Sequence, residues 1–224
     1  DGKYTLEEMV DAAKERGYEY LAITDHSKRV TMAKGLDEKR LGLQMEKIEK
    51  LNEALGDFRI LKSVEVDILA DGSLDLPDSI LQKLDIVVAA VHYDTKLTAE
   101  KQTERIIRAL ENPKVNILVH PTGRIIGERD EYEMDLPRIM QAAKDNGCFL
   151  EINAQPERLD LNDTYAKMAK EMGVKLAIST DAHSTGDLDY MRLGVGQARR
   201  GWLEKDDVIN TRSWKQLQKL LKRR

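Results

Sequence analysis

A run of residues at helical spacing, stopped by one glycine and followed directly by a β-branched run, recurs along this chain, and few folds accommodate that rhythm. The first helix starts at Thr5, with a Thr5-x-x-Glu8 capping box and Leu6, Met9, Val10 and Ala13 on one face. Gly17 stops it and YLAITDH follows. Gly56 stands likewise before FRILKSVEV, Gly147 before CFLEINA and Gly173 before VKLAIST, and Pro113 does the same job before VNILVH. Six strands are predicted, at about 19–25, 58–69, 86–92, 115–120, 148–154 and 175–180. No linker, low-complexity tract or sequence repeat interrupts the alternation, so we expect one domain over residues 1–224. Alternating βα units imply a parallel sheet, either a barrel or a doubly wound layer.

The four histidines decide between these. Each sits at or just past the end of an apolar run: His26 after LAITD, His92 after IVVAAV, His120 after VNILV and His183 after LAISTDA. Glu65 and Asp67 lie in a fifth run, and Asp181 precedes His183 by two positions. A closed barrel brings all strand ends around one point, whereas an open sheet gathers ligands near one switch point, so the barrel is expected. His26, Glu65, His92, His120, Asp181 and His183 form a mixed nitrogen and oxygen set suited to zinc, manganese or iron. It holds more ligands than one ion uses, so two to three divalent ions are expected, with Glu65 as a bridge. Ions so grouped produce a hydroxide near neutral pH and clamp phosphate oxygens.

Around this set stand weaker candidates. Arg124, in HPTGR, reads as a fork for a phosphate or as a surface residue. Asn153 reads as a hydrogen-bonder to substrate or to a ligand, Glu151 on the same face as a possible lysine partner, and Arg158 as a loop cation. Lys34, Gly35 and Leu36 read as a flexible helix start able to approach a substrate backbone. Asp25 precedes His26 and either orients it or does not. Asp67 and Asp75 read as surface charge.

Charged residues make up 34% of the chain with a net charge of −4, which is not the footprint of a self-sufficient nucleic-acid binder. Lys215, Lys219, Lys222, Arg223 and Arg224 read as a basic last helical turn. The single Cys148 excludes a disulfide framework, and no apolar stretch approaches the roughly 20 residues that span a bilayer. A cytoplasmic protein without membrane contact is expected. The chain begins with Asp1 and not Met, as a processed chain or a segment of a longer one would.

DGKYTLEEMVDAAKERGYEYLAITDHS, KSVEVDILADGSLDLPD, AVHYD, LVHPTGR, LEINAQPERLDLND and STDAHS resemble the successive motifs of the PHP (polymerase and histidinol phosphatase) family. The longer strings, with GVGQARRGWLEKDDVINT, are most similar to the C-terminal PHP domain of bacterial and archaeal family X DNA polymerases. The resemblance implies an α/β fold, a distorted (β/α)7 TIM-like barrel with a three-metal centre that hydrolyses phosphoesters, active in those polymerases as a 3′–5′ exonuclease in DNA repair. Position by position it makes Glu65, His92 and His120 ligands of one ion, and Asp1, His26 and His183 ligands of another, with Glu65 and Asp181 sharing a third. The family's H-x-H motif, on the first strand upstream of Asp1, is absent from this chain. That strand is therefore expected to be missing, leaving strand edges open to self-association. Tyr93, following His92, narrows the pocket or stacks on a base in this reading.

Three functions compete. One is a nuclease or phosphoesterase domain, with Glu65, Asp181 and Arg124 catalytic, DNA or nucleotide as substrate and a polymerase domain upstream. The second is a free-standing small-molecule phosphatase such as a histidinol-phosphate phosphatase. The third is a non-catalytic metal-binding domain that supports a polymerase.

Overall fold

The computed structural model describes residues 2–221, so Asp1 and the basic residues Lys222, Arg223 and Arg224 lie outside the described residues. Six parallel strands lie side by side in chain order: β1 (Tyr20–Ile23), β2 (Arg59–Asp67), β3 (Ile86–Ala90), β4 (Ile117–Leu118), β5 (Phe149–Asn153) and β6 (Leu176–Ser179). They curl into a half-barrel wrapped by helices, the architecture expected of a TIM-like barrel short of one strand. Seven helices alternate with or follow the strands, α1 (Leu6–Glu15), α2 (Glu38–Asn52), α3 (Asp78–Leu81), α4 (Ala99–Leu110), α5 (Leu136–Asp145), α6 (Asp163–Met172) and α7 (Met191–Arg200), and α8 (Trp214–Leu220) closes the chain. The Thr5 capping box forms: Glu8 N donates to Thr5 Oγ1 at 3.2 Å and Thr5 N to Glu8 Oε2 at 2.8 Å.

Side chains alternate across a strand, and here the two faces have different partners. Val64 and Val66 of β2, Val87 and Ala89 of β3, Leu118, Leu150 and Ile152 pack outward against helices. Facing inward, Tyr20 and Ala22, Leu61, Ile86 and Val88, Ile117 and Val119, Phe149 and Ala177 form a second apolar cluster, joined by Ile209 and Leu217. Continuing the inward rows two residues at a time leads to His26, Glu65, His92, Glu151, Asn153 and Asp181. The half-barrel is therefore greasy at the N-terminal ends of its strands and polar at their C-terminal ends.

The expectation of a bare edge at β6 is corrected by the segment after α7. Leu176 bridges Val208 in parallel, and the Asn210 amide pairs with both backbone groups of Ile178, accepting from its N–H at 3.0 Å and donating to its carbonyl at 2.8 Å. Tyr20 Oη in turn donates to Arg212 O at 2.9 Å and Asn210 O at 3.3 Å, which ties the same segment to β1. Among the described residues no helix is long and apolar enough to cross a membrane.

Candidate metal centre

Glu65 is the hub of the polar end. Its Oε1 lies 2.8 Å from His120 Nε2 and 3.2 Å from His92 Nε2, while Oε2 lies 3.2 Å from His26 Nδ1. Donor atoms of His26, Glu65 and His92 all fall within 4.8 Å of one another. His120 breaks the inward alternation of Ile117 and Val119, and its φ of +31° turns the chain so that the imidazole still reaches the interior. Its backbone N–H donates to Glu151 Oε2 at 2.6 Å, and Thr122 N and Gly123 N both donate to Asp160 Oδ2, so two buried carboxylates hold the turn.

Electrostatics match this crowding. Burial disfavours the Glu65 carboxylate, but His120 and His92 outweigh it and hold the group well below the usual carboxylate range. Burial also opposes charge on His92, yet Asp67 and Glu65 raise that imidazole to about 9. At His26 burial prevails and lowers the value. Glu151 is pushed well above its ordinary range by burial and by the nearby Asp181 charge. Three imidazoles around one carboxylate are a convergent set of nitrogen and oxygen donors, and such a set fits a divalent cation.

Asp181 anchors the other side. Its φ is +50°, its Oδ2 accepts from Asn153 Nδ2 at 3.1 Å, and its carbonyl accepts from Gln155 Nε2 at 2.5 Å. His183 Nδ1 lies 2.9 Å from the same carbonyl and 4.0 Å from Asp181 Oδ1. Arg158 Nε stands 3.9 Å from Asp181 Oδ2. His26, Glu65, His120, Glu151, Asn153, Asp181 and His183 all line one cavity of about 610 Å³ that continues between β1 and β6. Asp1, the remaining implied ligand, lies outside the described residues.

Several sequence readings are revised. Asp67 is not surface charge: it is fully buried, with Oδ1 3.1 Å from His92 Nδ1 and Oδ2 3.0 Å from Arg29 Nη1. Half-buried Asp75 accepts from Arg29 N and Asp67 N. Asp25 accepts from the Gln44 amide. Glu151 has the His120 N–H in place of a lysine. Gly35 packs so closely on Ser27 that a Cβ there would lie 1.9 Å from Ser27 O, while Leu36 N donates to His26 O and the carbonyls of Lys34 and Gly35 accept from Arg40. The Lys34–Leu36 backbone thus braces the His26 loop. Arg124 donates to Arg158 O at 2.8 Å and to Leu159 O at 2.5 Å, so it grips the loop that carries Arg158. Gln155 and Arg29 went unnoticed in the sequence, where nothing in their neighbours marks them.

A PHP domain is matched over residues 1–155. This chain belongs to the PHP family. Over its whole length it is 44% identical to the DNA polymerase/3'-5' exonuclease PolX of Bacillus subtilis, of which it spans 39%. A probable phosphatase of Thermoanaerobacter sp. (strain X514) is 34% identical across 92% of the chain and 84% of that relative. Among solved structures, a histidinol phosphate phosphatase from Lactococcus lactis, complexed with zinc, L-histidinol and phosphate, shares the fold at a TM-score of 0.59 and 15% identity, with 91% of this chain and 90% of that one covered. The PHP domain, these relatives and the donor cluster together support a metal-dependent phosphoesterase.

Proposed function

We propose that this PHP domain hydrolyses phosphodiesters at the 3′ end of DNA, using two to three divalent ions held by His26, Glu65, His92, His120, Asp181 and His183, beside a polymerase domain in its full context. The Glu65 carboxylate carries this reading, because its two oxygens face different imidazoles, as a carboxylate shared between ions must. When bound, such ions supply a hydroxide near neutral pH and offset charge on the phosphate oxygens. The chain's own residues do the rest. Asn153 and Gln155 hold Asp181 from two sides, Arg124 fixes the 158–159 backbone, and Arg158 beside Asp181 presents a guanidinium to a phosphate. The similarity to PolX supports DNA as the substrate class.

The probable phosphatases, most of whose length the chain covers, favour a second reading in which a small phosphomonoester is the substrate. Both are tested with manganese-loaded protein on 3′-recessed DNA, p-nitrophenyl phosphate and histidinol phosphate, with a His92→Ala/His120→Ala variant as control. Mononucleotide release from the 3′ end that the variant lacks is expected. Turnover confined to the monoesters overturns the DNA reading in favour of the second, and absence of turnover on all three, with metal bound, leaves a binding domain.

A further inference from the structure

We infer that Asp67 is a positioning residue for His92, and that Arg29 locks Asp67 in that task; the inference rests on the reading of His92 as a metal ligand. Asp67 is fully buried at the end of β2, where an unpartnered carboxylate is costly, and both its oxygens are engaged by two neighbours. One oxygen accepts from the backbone N–H of His92 and faces Nδ1 of the same residue, both at 3.1 Å. The other accepts from Arg29 Nη1 at 3.0 Å. An imidazole that ligates an ion carries one N–H, and a carboxylate beside a cation can only accept, so that proton belongs on Nδ1 and Nε2, 3.2 Å from Glu65 Oε1, is the nitrogen left for the ion. Among the described residues nothing comparable holds His120, whose Nδ1 is buried without a partner there.

Arg29 does more than neutralise Asp67. Its second terminal nitrogen reaches Asp94 Oδ2 at 2.8 Å and its guanidinium lies 5.0 Å from the Tyr93 ring centre. One cation on the loop that carries His26 therefore grips both the end of β2 and the loop that begins at His92, so the elements holding three donors share a single brace. Tyr93 thus faces Arg29.

With only four histidines in the chain, each ring is assignable in protein labelled with nitrogen-15 histidine. Zinc affinity by chelator competition and the exchange rate of the His92 Nδ1 proton in the zinc-loaded protein are measured for Asp67→Ala, Asp67→Asn, Arg29→Met and His92→Ala. We expect Asp67→Ala to weaken zinc about 10- to 100-fold, the usual effect of removing such a partner, and to expose the Nδ1 proton to fast exchange. Asp67→Asn, which keeps an acceptor oxygen, recovers most of the affinity. Arg29→Met weakens zinc severalfold and speeds exchange, and it decides the matter if Asp67→Ala does not fold. Unchanged affinity and exchange in Asp67→Ala, or in Arg29→Met where it alone folds, overturn the inference while His92→Ala still loses zinc. Unchanged zinc in His92→Ala instead sinks the ligand reading itself.

Discussion

The side chain of Asn210 completes β6 by mimicking a strand: its amide oxygen accepts from Ile178 N at 3.0 Å and its nitrogen donates to Ile178 O at 2.8 Å. Asn210→Ala leaves two backbone groups of β6 without partners, which costs about 1–3 kcal/mol per group that water cannot reach. Urea unfolding should show a loss in that range, and light scattering should show new self-association through the uncovered edge. Unaltered stability and mass would show that the edge needs no cover.

Arg158 and Arg124 separate kinetically. Arg158→Ala should lower kcat/KM on bis(p-nitrophenyl) phosphate about tenfold to a hundredfold, corresponding to roughly 1.5–3 kcal/mol for a charge-assisted contact, with metal content intact. Arg124→Ala should lower it as well, through the displaced 158–159 backbone, and Arg124→Lys should restore little because an ammonium does not fork onto two carbonyls. Full activity in both alanine variants removes the arginines from the site.

Glu65→Gln should retain less zinc after dialysis than His26→Ala or His120→Ala. The carboxylate touches all three imidazoles, so its loss affects every ion it serves, whereas each histidine serves one. Elemental analysis giving equal metal in the three variants would contradict a shared carboxylate.

Burial pushes the Cys148 thiol up to about 12, with its sulfur 3.5 Å from the carbonyls of Leu110 and Val115. An unfolded cysteine ionises near 8.5, so stability present below that pH is lost as pH rises toward 12, by about 2 kcal/mol at pH 10. Urea midpoints of wild type and Cys148→Ala between pH 7 and 10 measure it. Parallel pH slopes in the two proteins would refute the assignment.

A chain lengthened by the H-x-H strand that the family resemblance implies should bind one more equivalent of manganese than residues 1–224 and turn over DNA faster. The cavity that runs from β1 to residues 208–212, the segment that covers β6, has apolar walls for such a strand, and Glu65 with Asp181 alone gives a third ion only two ligands where three are usual. Equal metal content and rate in the two chains would make that strand dispensable.

Much of this was legible in the sequence because it depends on local order. A histidine closing a β-branched run ends a strand whatever the rest of the chain does, and parallel βα units then gather the ends. Asp67 was misread because a charged residue near a strand end is usually exposed, although its spacing of two from Glu65 put both on one face. Arg29 and Asn210 were invisible for a different reason. Their partners lie 38 and 32 positions away, and no periodicity encodes so distant a meeting. Gly35 reads as part of a flexible helix start, yet its missing Cβ makes room for the Ser27 backbone.

Strand order that equals chain order has a consequence for synthesis. Each new strand pairs with the one made just before it, so the sheet can grow by local steps as the chain leaves the ribosome, without waiting for distant partners. The exception is the cover of β6, which arrives only with residues 208–212. A nascent chain paused before that point carries a nearly finished sheet with the margin at β6 still adhesive, and that interval is when a chaperone or a second copy of the chain would compete for it.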